Sequence, residues 1–137
     1  MHFRRTSIRR LSKRLREELR EHTAGWSSAF STYLDENTSH VGVVLVYADN
    51  RELMAWGCLD YRSAYSPEEG EGAGLMGWYV LPDYRRQGLM HVIAEKLLAK
   101  RHKVAVEGDR SAIHKVMHRA GYVMSERVGW AERWKRI

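Results

Sequence analysis

The run Trp78-Tyr79-Val80-Leu81-Pro82-Asp83-Tyr84-Arg85-Arg86-Gln87-Gly88-Leu89-Met90 constrains the fold of this chain more than any other stretch. Leu75 to Leu81 reads as a strand that stops at Pro82, where a sheet ladder loses a donor. Beyond Gly88, the residues Leu89, Val92, Ile93, Leu97 and Leu98 recur at helical spacing to about Arg101. A strand that enters a helix through so short a turn calls for a sheet with helices packed on it.

The remaining periodicities fill in that architecture. Ile8, Leu11, Leu15 and Leu19 form one apolar stripe of a helix from about Ser7, which can cap it, to His22. Trp26 to Leu34 reads as a short helix. Val41 to Ala48 and Leu53 to Leu59 form a hairpin around Asp49-Asn50, and Ser66 to Gly74 is a loop whose glycines lack the spacing of a phosphate loop. Lys103 to Glu107 is a short strand and Arg110 to Arg119 a helix ended by Gly121. Tyr122 to Val128 and Trp130 to Trp134 are a final strand pair split at Gly129. With Met1 to Arg5 as a first strand, the expected fold is α/β (α+β). It has a mixed, mostly antiparallel sheet of six or seven strands, with helices on both faces.

A chain of 137 residues with 44% apolar content fits one globular domain spanning residues 1–137. The formal net charge is +6, and residues 1–20 hold eight basic side chains against Glu17 and Glu18, so the whole excess lies there. One basic segment on a balanced body points to a local electrostatic face; the plain alternative is a solvated helix surface. Val41 to Ala48 is too short to span a bilayer and the start lacks the apolar stretch of a secretory signal, so a cytoplasmic protein with no membrane partner is expected. Cys58, alone, excludes an internal disulfide and a multi-cysteine zinc site, and reads as a small buried hydrophobe.

The strand-to-helix turn also has a chemistry. The first N–H groups of a helix lack intrahelical partners, and together with the helix dipole and Arg85 and Arg86 they can receive phosphate oxygens. Gly88 would let a pyrophosphate approach the backbone closely. Taken alone, the segment is equally an ordinary turn with solvated arginines. The run resembles motif A of the GNAT superfamily of N-acetyltransferases, where a Val-x-Pro-x-Tyr-Arg strand end leads into Arg/Gln-x-x-Gly-x-Gly/Ala. Ser111 to Tyr122, ending in Gly121-Tyr122, is similar to the family's penultimate helix. The element order agrees with the family fold along the whole chain.

The resemblance implies acetyl-CoA as co-substrate, held where the strand from Leu75 and the one after it splay apart. Backbone groups of Trp78, Tyr79 and Val80 would pair with the pantetheine arm, and the loop of Arg85, Arg86, Gln87, Gly88, Leu89 and Met90, with His91 behind it, would hold the pyrophosphate. An acceptor amine would attack the thioester directly, which needs a base, an oxyanion donor and an acid for the thiolate. The sequence departs from the family at three points. Met117 stands at the position of the acid tyrosine, Arg110 at that of a frequent asparagine, and Met90 at that of the last small residue of motif A.

The replacement candidates are Glu107 as general base, directly or through water, and His118 or Tyr122 as proton donor. Glu107 is equally read as a surface carboxylate paired with Arg110 or Lys103. His114 and His118 share a helix face, but no third ligand is evident and no metal is expected. Trp130 and Trp134 read as sheet-face packing; stacking on a nucleobase beside Arg127, Arg133, Lys135 and Arg136 is the alternative.

The expected function is an N-acetyltransferase for the amine of a small molecule, peptide or protein, with the basic helix selecting an acidic acceptor; a homodimer is compatible with it. The alternative is a catalytically impaired GNAT-like binding or structural protein, for example virion-associated, that contacts nucleic acid or an acidic partner through residues 4–20.

Overall fold

The computed structural model describes residues 1–22, 34, 41–60, 75–99, 101, 103–107, 111–128 and 131–137. The expected helix from Trp26 and the loop from Ser66 to Gly74 lie outside these residues, Leu34 excepted. Strands β1 (His2–Ser7), β2 (Val41–Tyr47), β3 (Leu53–Asp60) and β4 (Leu75–Val80) pair antiparallel in sequence order. Strand β5 (Lys103–Glu107) joins β4 in parallel. The hairpin of β6 (Tyr122–Val128) and β7 (Ala131–Arg136) completes a seven-stranded sheet of order β1-β2-β3-β4-β5-β7-β6. Helices α1 (Lys13–His22), α2 (Leu89–Leu98) and α3 (Ser111–Arg119) pack on it.

Alternation along β2 builds two cores. Val41, Val43 and Leu45 face one side and join Ile8, Leu11, Leu15 and Leu19 beneath α1. Val44 and Val46 face the other and join Ile93 and Leu97 of α2 and Val116 and Met117 of α3. The mixed sheet with helices on both faces is thus as the periodicities implied.

The N-terminal helix is shorter than its apolar stripe. β1 runs to Ser7 because its register against β2 extends from His2↔Tyr47 to Ser7↔Gly42. Ile8–Arg10 then form a 3-10 turn, and α1 begins at Lys13. The cap is Ser12, not Ser7: the Leu15 N–H donates to Ser12 Oγ at 3.2 Å. Arg16 fixes this corner from inside, donating to the carbonyls of Ile8 at 2.6 Å, Leu34 at 2.9 Å and Leu11 at 3.2 Å. Helix α2 likewise ends at Leu98, short of Arg101.

Helix α2 lies directly on the backbone of β3. A Cβ at Gly57 would stand 2.4 Å from Ile93 Cγ2 and 3.0 Å from Leu97 Cδ1, so only glycine allows that approach. Gly57→Ala should therefore cost about 1–3 kcal/mol through overpacking, measured as a fall in the denaturation midpoint with an unchanged slope.

Candidate functional site

Strands β4 and β5 share two register pairs, Leu75↔Ala105 and Met76↔Val106, and none beyond them among the described residues. β4 continues to Val80 against β3, while β5 stays in register with β7 from Lys103↔Lys135 to Glu107↔Ala131. The sheet therefore opens at the C-terminal half of β4.

A cleft of about 460 Å³ lies at this opening. Trp78, Tyr79 and Val80 form its strand wall, and Arg85, Arg86, Gly88, Leu89, Met90 and His91 line its turn and helix end. Nine of the ten residues expected to hold the cofactor are thus brought together; Gln87 is exposed beside them. Tyr84, Lys115 and Val116 also line the cleft, and the sequence alone does not single them out. Tyr84 lies inside the motif itself, whereas Lys115 and Val116 arrive through long-range packing of α3.

The turn is built to expose donors. Arg86 adopts φ 65° and Gly88, the residue before α2, φ 76°. The first backbone bond of the helix is Val92 N–H to the Gly88 carbonyl, at 3.4 Å. The N–H groups from Arg86 to His91 find no backbone acceptor among the described residues. A Cβ at Gly88 would meet nothing within 4 Å, so the space before these donors is open, and His91 Nδ1 is buried without a hydrogen-bond partner among the described residues. No carboxylate lines the cleft among the described residues. An open row of donors, an orphaned ring nitrogen and Arg86 and Lys115 beside them fit a polyphosphate. Arg85 instead braces the strand end, where its Nε donates to the Val80 carbonyl at 3.0 Å and its guanidinium lies 5.6 Å from the Tyr79 ring centre. Tyr84 donates to Glu52 at 3.1 Å, and this bond raises its proton affinity.

The proposed proton donors lie elsewhere. Tyr122 is fully buried, and its hydroxyl donates to the Arg101 carbonyl, with the Leu98 carbonyl 3.4 Å away, while accepting from Arg136 at 3.0 Å. These groups hold the far end of α2, where the Tyr122 hydroxyl is already engaged and does not line the cleft. His118 is exposed and meets Trp134 edge-on, with ring centres 5.2 Å apart, and it does not line the cleft. The reason is helical phase: the turn that brings Lys115 and Val116 to the cleft brings His118 to β7. Met117 is buried in the core. Glu107 ends β5, the strand that flanks the opening, and Arg110 lies outside the described residues.

Packing engages two other groups that the sequence singles out. His114 Nε2 lies 2.8 and 3.0 Å from the two carboxylate oxygens of the fully buried Glu132, and no cluster of three metal-ligating side chains occurs among the described residues. Trp134 is buried between β5 and the histidines of α3, so it offers no face for a nucleobase; Trp130 lies outside the described residues. No helix among the described residues is long and apolar enough to cross a membrane.

The site thus combines a seven-stranded sheet that opens at one parallel seam with a donor-rich helix end at the opening. The chain belongs to the acetyltransferase (GNAT) family, whose model matches residues 8–122. A search among curated proteins finds no match by sequence. Solved structures similar to it include the N-acetyltransferase PseH of Campylobacter jejuni in complex with acetyl coenzyme A, at 12% identity and TM-score 0.62 over 97% of this chain and 96% of that one. A variant of the spermidine N-acetyltransferase SpeG of Vibrio cholerae is similar at 12% identity and TM-score 0.67, over 100% and 95%. The aminoglycoside 6'-N-acetyltransferase AAC(6')-Ih of Acinetobacter baumannii is similar at 18% and 0.64, over 93% and 95%. At these identities the likeness is one of fold.

Cys58 lies on the α1 face of β3, and burial pushes its thiol from 9.0 up to about 12. The folded protein should therefore resist a thiol-directed disulfide reagent near pH 8 and react promptly in denaturant. Between about pH 9 and 12 the unfolded chain loses this proton while the folded chain keeps it, so this group makes stability fall as pH rises.

Proposed function

We propose that the protein is an N-acetyltransferase that moves the acetyl group of acetyl-CoA to an amine on an acidic acceptor. The observation that carries this reading is the cleft itself, a strand wall and an open row of helix N-terminal donors meeting where β4 and β5 part. Family membership and a similar fold that binds acetyl-CoA support it, and nothing observed favours a binding protein without catalysis.

When bound, acetyl-CoA supplies an activated thioester carbonyl. The donors from Arg86 to His91, with the helix dipole behind them, receive the pyrophosphate, and Lys115 faces it from α3. The backbone of β4 from Trp78 to Val80 aligns the pantetheine arm as an added strand would. The acceptor nitrogen forms its bond to the carbonyl carbon as the carbon–sulfur bond breaks. Glu107, at the end of the strand flanking the opening, takes the ammonium proton, directly or through water. With Met117 in the core, the leaving thiolate takes its proton from water in the open cleft rather than from that helix.

The acceptor side follows from the two faces of the sheet. The cofactor cleft is walled by α2 and α3, so the acceptor reaches the opening from the α1 face. That helix and the turn before it expose Arg9, Arg10, Lys13, Arg14 and Arg20. A polycation would be repelled there and an anionic carrier of the amine attracted.

Calorimetry should show acetyl-CoA binding at micromolar levels, and Gly88→Val should weaken it by about 100-fold, the worth of one or two charge-assisted hydrogen bonds. No binding by the unaltered protein at millimolar cofactor would overturn the reading. Neutralising Arg9, Arg10, Lys13 and Arg14 together should raise KM for an acidic amine-bearing peptide and flatten its salt dependence, while a neutral peptide is turned over as before.

A further inference from the structure

Glu132 is completely buried in β7, and neither the cleft nor the acceptor face uses its charge. A carboxylate at that depth costs several kcal/mol unless paired and hydrogen-bonded. Two partners reach it from different elements. Arg127, its direct cross-strand neighbour on β6, donates at 2.9 Å and ties the β6–β7 hairpin to itself. His114 reaches the same carboxylate from α3, at 2.8 and 3.0 Å, and so ties a helix to the sheet. Trp134 supports this second link, its ring 5.4 Å from that of His114 and 5.2 Å from that of His118.

The other side of α3 closes the cleft. His114 and Val116 are two residues apart and therefore face nearly opposite sides of the helix, and Val116 with Lys115 lines the cleft wall. The apolar contacts of Ile113, Val116 and Met117 set which face of α3 meets the core, and the polar link sets its finer rotation. A charged hydrogen bond to a buried, immobile acceptor is directional. A roll of about 20° moves the side chains of a helix by about 2 Å at their radius, enough to disturb a closely fitted ligand.

We propose that Glu132 is a positioning residue: through His114 it fixes the rotation of α3 and so sets the wall that Lys115 and Val116 present to the cofactor. The proposal rests on the acetyl-CoA reading of the cleft.

The experiment compares His114→Leu, His114→Gln and Arg127→Met in the full chain. His114→Leu should raise both Kd and KM for acetyl-CoA about tenfold while kcat falls far less, the pattern of lost preorganisation. His114→Gln, which restores a donor near the position of Nε2, should recover most of that affinity. Arg127→Met removes the β6 partner of Glu132 and leaves the His114 contact in place; it should lower the melting temperature while leaving Kd within about twofold. Unchanged affinity in His114→Leu overturns the proposal. So does a loss of affinity in both His114→Leu and Arg127→Met that merely follows their loss of stability. If the unaltered protein binds no acetyl-CoA, the functional reading fails and amide exchange still decides this one. Protection at residues 115–119 should drop in His114→Leu and persist in Arg127→Met, and an equal drop in both overturns it.

Discussion

Strands β4 and β5 run together for two residue pairs and then part, and the functional geometry depends on that parting. Each strand has a more extensive attachment on its other side. β4 is held by five register pairs to β3, from Ala55↔Val80 to Leu59↔Met76, and β5 by five to β7. Among the described residues the parallel seam has the fewest register pairs in the sheet, and the sheet opens there. Pro82 then ends β4 at the opening, the 3-10 turn Pro82–Tyr84 redirects the chain, and Gly88 starts α2 with its donors facing the gap.

Placing α2 at that point requires close contact behind it. Gly57 lets Ile93 and Leu97 settle on the β3 backbone, and Tyr122 with Arg136 holds the carbonyls at the other end of the helix. A helix held at its middle and its C-terminus leaves its N-terminus fixed in direction, the property an anion cradle needs. Tyr122, expected as a proton donor, instead braces the far end of α2 with its buried hydroxyl.

How much of this was legible depends on the range of the interaction concerned. The run from Trp78 to Met90 carries its geometry locally, in a strand, a proline, a positive-φ glycine and an apolar period, and the strand wall and helix end read from it line one cleft. The stripe Ile8, Leu11, Leu15 and Leu19 predicts burial correctly but not helix. All four are buried, yet a 3-10 turn carries Ile8 and Leu11 precedes the helix, because spacings of three and four are compatible with both conformations. Nothing in the sequence marks Glu132 as buried. Its partners lie 18 and 5 residues away on separate elements, and its charge alone suggests an exposed strand position. The cleft role of Lys115 was equally hidden, since helical phase relative to a distant strand is set by packing.

The net charge acquires a more specific meaning when its residues are placed. Of the basic side chains before residue 21, Arg16 is turned inward onto three carbonyls and Arg5 donates to the Lys96 carbonyl, so part of the excess is structural. The exposed part, Arg9, Arg10, Lys13, Arg14 and Arg20, belongs to the α1 side of the sheet, while Arg86 and Lys115 line the cleft walled by α2 and α3. A direct transfer between a phosphate-bearing donor and an acidic acceptor must bring two anions together, at a cost of about 0.4 kcal/mol per charge pair at roughly 10 Å in water and more in a protein cleft. Under the proposed function, positive groups on both sides of the sheet would offset that repulsion. On that reading, the basic N-terminal segment and the basic cofactor cleft would answer one electrostatic requirement, that of holding two negatively charged reactants at one opening in the sheet.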